Sequence, residues 1–200
     1  MIVYDPATAL LVVDVQNDFA DPGGSLSVRG GEAVVPVINA ELERARADGS
    51  PIAYTQDWHP ESTPHFESDG GAWPVHCVAG TWGAELHPQL TQVGGAPRIL
   101  KGVNGEDGYS GFTMRDPVSG DTVPTELESV LRDASVIRVV VTGLATDYCV
   151  KATALDAVRL GFRTTLLTDA VAAVDLEPGD GDAAIREMRL AGVEIATAAP

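Results

Sequence analysis

Short apolar runs recur along the chain, separated by turn-forming or helix-patterned sequence. The run "ALLVVDV" (9–15) is apolar without alternation, the pattern of a strand covered on both faces. Over 30–49, "GGEAVVPVINAELERARADG", the apolar residues change to helical spacing and end at Gly49. Further strands are predicted at 51–57 ("PIAYTQD") and 97–102 ("PRILKG"), with a small hairpin over 112–123 turning at "PVSG". The second half alternates more regularly. It reads as a helix at 125–134, a strand at 136–143, a helix at 146–161, a strand at 163–169, a helix near 181–191 and a strand at 193–198.

Strands alternating with helices predict a mostly parallel sheet with helices on both faces. About six strands suggest a doubly wound α/β sheet, in which ligands bind beyond the carboxyl ends of the strands, near the point where strand order reverses. The stretch 58–96 breaks the pattern, being irregular and rich in Gly, Pro, His and Trp. A loop this long inside a compact domain is usually functional.

Composition narrows the classes. Two hundred residues with 44% apolar content fit one domain, 1–200, with a substantial core. A net charge of −16 argues against a nucleic-acid partner and against an anionic membrane surface. No apolar run is long enough for a transmembrane helix. The N-terminal sequence has no basic region or small-residue cleavage site, so no signal peptide is expected. Two cysteines, Cys77 and Cys149, make no disulfide framework, and a reducing, cytoplasmic setting is expected.

The chemistry-bearing residues cluster at predicted strand ends. Asp14 ends the first strand, Asp57 and His59 follow the second, Lys101 ends the third, and Cys149 lies just after the fourth. A parallel topology gathers all five along one edge of the sheet. At a helix start, unpaired N–H groups and the positive dipole end are expected to lower the Cys149 thiol pKa and to hold an oxyanion. The bland alternative is a buried small hydrophobe. Asp14 would exchange a proton with the thiol, although a strand-end Asp can simply cap a turn. Lys101, if it lies between carboxylate and thiol, would favour both anions. Cys77 has no such companions and reads as core.

In "QDWHPESTPHFESDGGAWPVHC", Asp57 and His59 are two apart and face the same way in extended chain. His65 and His76 follow on loop backbone. One carboxylate and three imidazoles suit Zn²⁺, Mn²⁺ or Fe²⁺, as opposed to an unrelated scatter of loop histidines. His87 has no partner and reads as structural. Phe19, Trp73 and Tyr109 each lie near one of these residues in sequence, and would make a flat apolar slot for a planar ring if they are not ordinary core.

The motifs "VVDVQNDF" (12–19), "DWHP" (57–60), "HF" (65–66), "WPVHC" (73–77), "LKG" (100–102), "YSGF" (109–112) and "GLATDYCV" (143–150) occur in one order across nearly the whole chain. Together they resemble the isochorismatase-like cysteine hydrolase superfamily, and most of all its nicotinamidase branch. The resemblance implies a three-layer α/β/α fold, a catalytic triad of Asp14, Lys101 and Cys149, and one divalent metal ion on Asp57, His59 and His76, with His65 as fourth ligand. It further implies a cis Leu144–Ala145 peptide, an oxyanion hole from the N–H groups of Ala145 and Cys149, and a homo-oligomer, dimer or tetramer. The implied reaction is hydrolysis of nicotinamide to nicotinate and ammonia, a step of NAD salvage. Phe19, Trp73 and Tyr109 would hold the ring. The same triad also serves superfamily enzymes that open other amides, including the cyclic lactam of streptothricin antibiotics.

Overall fold

The structure, a computed structural model, describes residues 2–198. Strand β1 (Thr8–Val13) leads through a one-turn helix α1 (Asn17–Ala20) to the long helix α2 (Gly31–Ala47) and strand β2 (Ile52–Asp57). The irregular stretch contains only two short 3₁₀ turns before β3 (Arg98–Lys101). A hairpin of β4 (Thr113–Arg115) and β5 (Thr122–Pro124) follows, then α3 (Leu127–Asp133) and β6 (Arg138–Leu144). The chain closes with α4 (Lys151–Arg159), β7 (Arg163–Ala172), α5 (Asp180–Leu190) and β8 (Glu194–Ala196).

Six strands form one sheet in the order β3-β2-β1-β6-β7-β8, and every neighbouring pair is parallel. The chain builds outward from β1 in one direction, then from β6 in the other. Strand order therefore reverses between β1 and β6, where a doubly wound sheet opens a crevice at its carboxyl edge.

The continuous apolar run of β1 has a direct cause. Leu10 and Val12 face the layer that contains Val34, Val35, Ile38 and Leu42 of α2. Ala9, Leu11 and Val13 face the opposite layer, with Leu127 and Leu131 of α3, Ala154 of α4 and Met188 of α5. Both faces are covered, so no position can be polar without cost. Each buried Leu or Val contributes about 1.5–3 kcal/mol.

Three expectations are adjusted. The first strand stops at Val13, because Asp14 leaves it with a left-handed φ of 48°. The helix expected over 146–161 begins instead as a wide turn, Thr146–Val150, in which Val150 N–H donates to the Ala145 carbonyl. Such wide turns re-aim side chains and concentrate at functional sites. The α1 turn, inside "VQNDF", carries no apolar periodicity long enough to announce it. Gly143, one residue before the end of β6, lies opposite Val13, and a Cβ there would lie 2.0 Å from the Val13 carbonyl oxygen, so β1 and β6 close only over glycine. Among the described helices, none is long and apolar enough to cross a membrane.

Candidate active site

The two central strands and β3 deliver Asp14, Cys149 and Lys101 to one buried point. Lys101 Nζ donates to Asp14 Oδ2 at 2.6 Å and to Asp57 Oδ1 at 2.8 Å. Its third bond, to the Gly108 carbonyl, depends on close backbone approach, since a Cβ on Gly108 would sit 2.9 Å from Asp57 Oδ1. Thr55 Oγ1, one strand over, donates to Asp14 Oδ1 at 2.6 Å. Donor atoms of Asp14, Asp57 and Cys149 all lie within 4.8 Å of one another.

Burial governs the charges here. It raises the Asp14 carboxyl to about 6, against the opposing pull of Lys101. Burial disfavours the Lys101 ammonium, but Asp14 and Asp57 outweigh it and keep the lysine charged. The Cys149 thiol is pushed well above its ordinary value by burial, which the Lys101 charge counters and the Asp14 and Asp57 charges reinforce. This corrects the expected lowering. The thiol is buried and faces two carboxylates, and its Lys101 influence acts through space while the ammonium bonds to the carboxylates.

Beside this cluster, ring nitrogens of His59, His65 and His76 lie within 4.8 Å of one another. Asp57 Oδ2 is 3.9 Å from His59 Nε2. His76 Nδ1–H donates to the Pro74 carbonyl at 2.7 Å, which leaves Nε2 free. Both ring nitrogens of His59 are buried without a hydrogen-bond partner. Burial lowers the His59 pKa to about 4 and lowers that of His76, so both are neutral at pH 7. Asp57 stays ionised: burial raises its pKa, but Lys101, His59 and His76 together bring it below the ordinary value. Neutral imidazoles with unpaired nitrogens and one carboxylate fit a borderline divalent cation.

A narrow apolar cavity opens onto Cys149, His65 and His76. Phe19, Trp73 and Tyr109 line it, as the sequence suggested, and Tyr148, Leu26, Val28 and Val174 join them. Trp73 Nε1–H donates to Tyr109 Oη at 2.8 Å, and the Trp73 and Tyr148 rings meet edge to face at 4.8 Å. Ala145 lines the same cavity, and the Leu144–Ala145 peptide is cis.

Every sequence-selected residue thus reaches one site; Cys77, next to His76, packs into the core with its carbonyl accepting the His59 N–H at 3.0 Å, and His87 is buried. Sequence reasoning missed Thr55, Gln16, Asp18 and Asp107. Gln16 clamps the end of β2, its amide donating to the Asp57 carbonyl at 2.7 Å and accepting from Asp57 N–H at 2.8 Å. The Asp18 carboxylate accepts the Cys77 N–H at 2.7 Å, next to His76. Gln16 and Asp18 stood inside a recognised motif; Thr55 and Asp107 carried no signal.

The fold and site define a doubly wound α/β protein with a buried thiol, carboxylate and lysine beside a histidine cluster. The isochorismatase domain model matches residues 8–200, and the chain belongs to that family, in its nicotinamidase branch. It is 42% identical to the nicotinamidase/pyrazinamidase of Mycobacterium tuberculosis over 94% of this chain and 97% of that protein. The crystal structure of the pyrazinamidase of Pyrococcus horikoshii in complex with zinc is 40% identical, with a TM-score of 0.86, covering 96% of this chain and 99% of that one. PnC1 from L. infantum, in complex with nicotinate, is 38% identical with a TM-score of 0.89 over 98% of this chain and 96% of that one.

Proposed function

We propose that the protein is a nicotinamidase, hydrolysing nicotinamide to nicotinate and ammonia. One observation carries this reading: the Cys149 thiol, with Asp14 within 4.8 Å behind it, lines a narrow aromatic-walled cavity together with Asp57, His65 and His76. A planar heteroaromatic amide suits that combination, with its ring in the slot and its carboxamide over the sulfur. The names of the relatives support the same choice.

In this reading Asp14, ionised above about pH 6, takes the Cys149 proton as the sulfur attacks the amide carbon. The resting thiol stays protonated, so proton transfer and attack proceed together. The N–H groups of Ala145 and Cys149 receive the oxyanion. The C–N bond breaks, Asp14 delivers its proton to the nitrogen, and ammonia leaves. Water then adds to the thioester, losing a proton to Asp14, and the C–S bond breaks to release nicotinate and restore the thiol. Lys101 holds Asp14 in place and balances its charge. A divalent cation on Asp57, His59, His65 and His76 would supply a Lewis acid for the substrate's ring nitrogen and for water. Zinc is our choice among the candidate ions, supported by the zinc complex of the Pyrococcus relative. We read residues 1–200 as one hydrolase domain, working in the cytoplasm as a homo-oligomer.

The test is ammonia release from nicotinamide by metal-loaded protein, beside Cys149→Ala. Release that is lost in the variant supports the reading. No release from the unaltered protein sinks the nicotinamide assignment and moves the search to other amides.

A further inference from the structure

His65 is the one histidine of the cluster with a ring nitrogen at hydrogen-bond distance from a carboxylate. Asp107 Oδ1 lies 2.6 Å from His65 Nδ1, and both side chains are nearly buried, at 5% and 13% exposure. An ionised carboxylate only accepts, so Nδ1 carries the hydrogen and Nε2 is left with a lone pair. The cluster needs that Nε2 lone pair if His65 is to bind a cation.

The backbone around Asp107 is held from two sides. Its N–H donates to the Arg115 carbonyl at 2.6 Å, and Arg115 N–H donates back at 3.1 Å, so β4 of the hairpin grips the loop. Two residues earlier, the Gly105 carbonyl accepts from Thr63 Oγ1 at 2.8 Å, and Thr63 Oγ1 accepts the His65 N–H at 3.2 Å. The His65 loop and the Asp107 loop are therefore bound together at two points, and the hairpin fixes the second loop. This gives the 113–124 hairpin a place in the site although it lines no part of the catalytic cavity.

We propose that Asp107 is a positioning residue that fixes the Nδ1–H tautomer and ring orientation of His65 for metal binding, with the β4–β5 hairpin as its support. The inference rests on the reading of His65 as a ligand. Partners of this kind raise ligand basicity, and their loss typically weakens metal affinity about 10- to 100-fold. The Asp107 carboxylate also lies 3.9 Å from the exposed Arg115 guanidinium, but the two backbone bonds to Arg115 do not involve its side chain, so a side-chain substitution keeps them.

The experiment measures zinc affinity by chelator competition, and the His65 tautomer by two-bond ¹H–¹⁵N spectra of the metal-free protein, assigned with His65→Ala. Asp107→Ala should weaken zinc about 10- to 100-fold and shift His65 toward the Nε2–H form. Asp107→Asn, whose amide oxygen still accepts, should lose less than about tenfold. Zinc binding by Asp107→Ala within about twofold of the unaltered protein would overturn the proposal. So would an Nε2–H tautomer in the unaltered protein, a measurement that stands even if Asp107→Ala fails to fold. None of these readouts uses nicotinamide, so a failed substrate assignment leaves them intact.

Discussion

Lys101 Nζ lies 2.6 Å from Asp14 Oδ2, and neither side chain has any exposed surface. The same ammonium also reaches Asp57, so one buried cation serves both the carboxylate proposed to transfer the proton and the one proposed to hold the metal. Lys101→Met would leave two buried carboxylates without their counter-charge. Removing one partner of a buried pair costs about 3–5 kcal/mol. The expected result is a large drop in the urea midpoint together with loss of ammonia release. Wild-type stability in Lys101→Met would show that the pair contributes nothing to folding.

The pH profile follows from Asp14. Its carboxyl is raised to about 6, and the proposed role needs the ionised form, so kcat/KM should fall as pH drops through that value. Thr55 Oγ1 donates to this carboxylate and pulls its pKa down. Thr55→Val removes that bond and should move the acidic limb to higher pH. A limb that stays in place in Thr55→Val would disconnect it from Asp14.

Metal removal should be visible without any substrate. The ring nitrogens of His59 are buried and unpaired, so the metal-free cluster leaves their desolvation uncompensated. Free zinc at a hundredfold excess over its Kd should stabilise the fold by about 2.7 kcal/mol. Thermal unfolding with and without a chelator checks this, and His59→Ala should abolish the zinc-dependent rise. An unchanged midpoint on chelation would remove the cluster from consideration as a metal site.

Gly143 is a point of close backbone approach between the two central strands. Its φ of 108° and the 2.0 Å approach of a Cβ to the Val13 oxygen mean that Gly143→Ala must separate β1 from β6. A loss of roughly 2–3 kcal/mol or more is expected, with Asp14 and Cys149 displaced at the same time. Denaturant unfolding and activity should therefore fall together; a stable variant with full activity would contradict the packing described.

The residues proposed to do the chemistry were legible because apolar runs ended in them. Asp14, Asp57, Lys101 and Cys149 each terminate or follow a short apolar run that reads as a strand, and parallel topology sends such ends to one edge. The histidines and aromatics were legible from a loop too long and too biased to be a connector. Their supports were not. Thr55 and Asp107 matter only because another strand or loop lies within hydrogen-bond distance, and no spacing along the chain encodes that. The thiol's charge state is the sharpest case. Sequence position suggested a lowered pKa from a helix start, yet burial beside two carboxylates raises it. The alternation of strands with helices, and which polar groups end the strands, follow from local pattern, whereas the order of strands in the sheet does not. Protonation, ring tautomers and the wide turn that aims Cys149 depend on burial and on partners distant in sequence, so only the tertiary structure decides them.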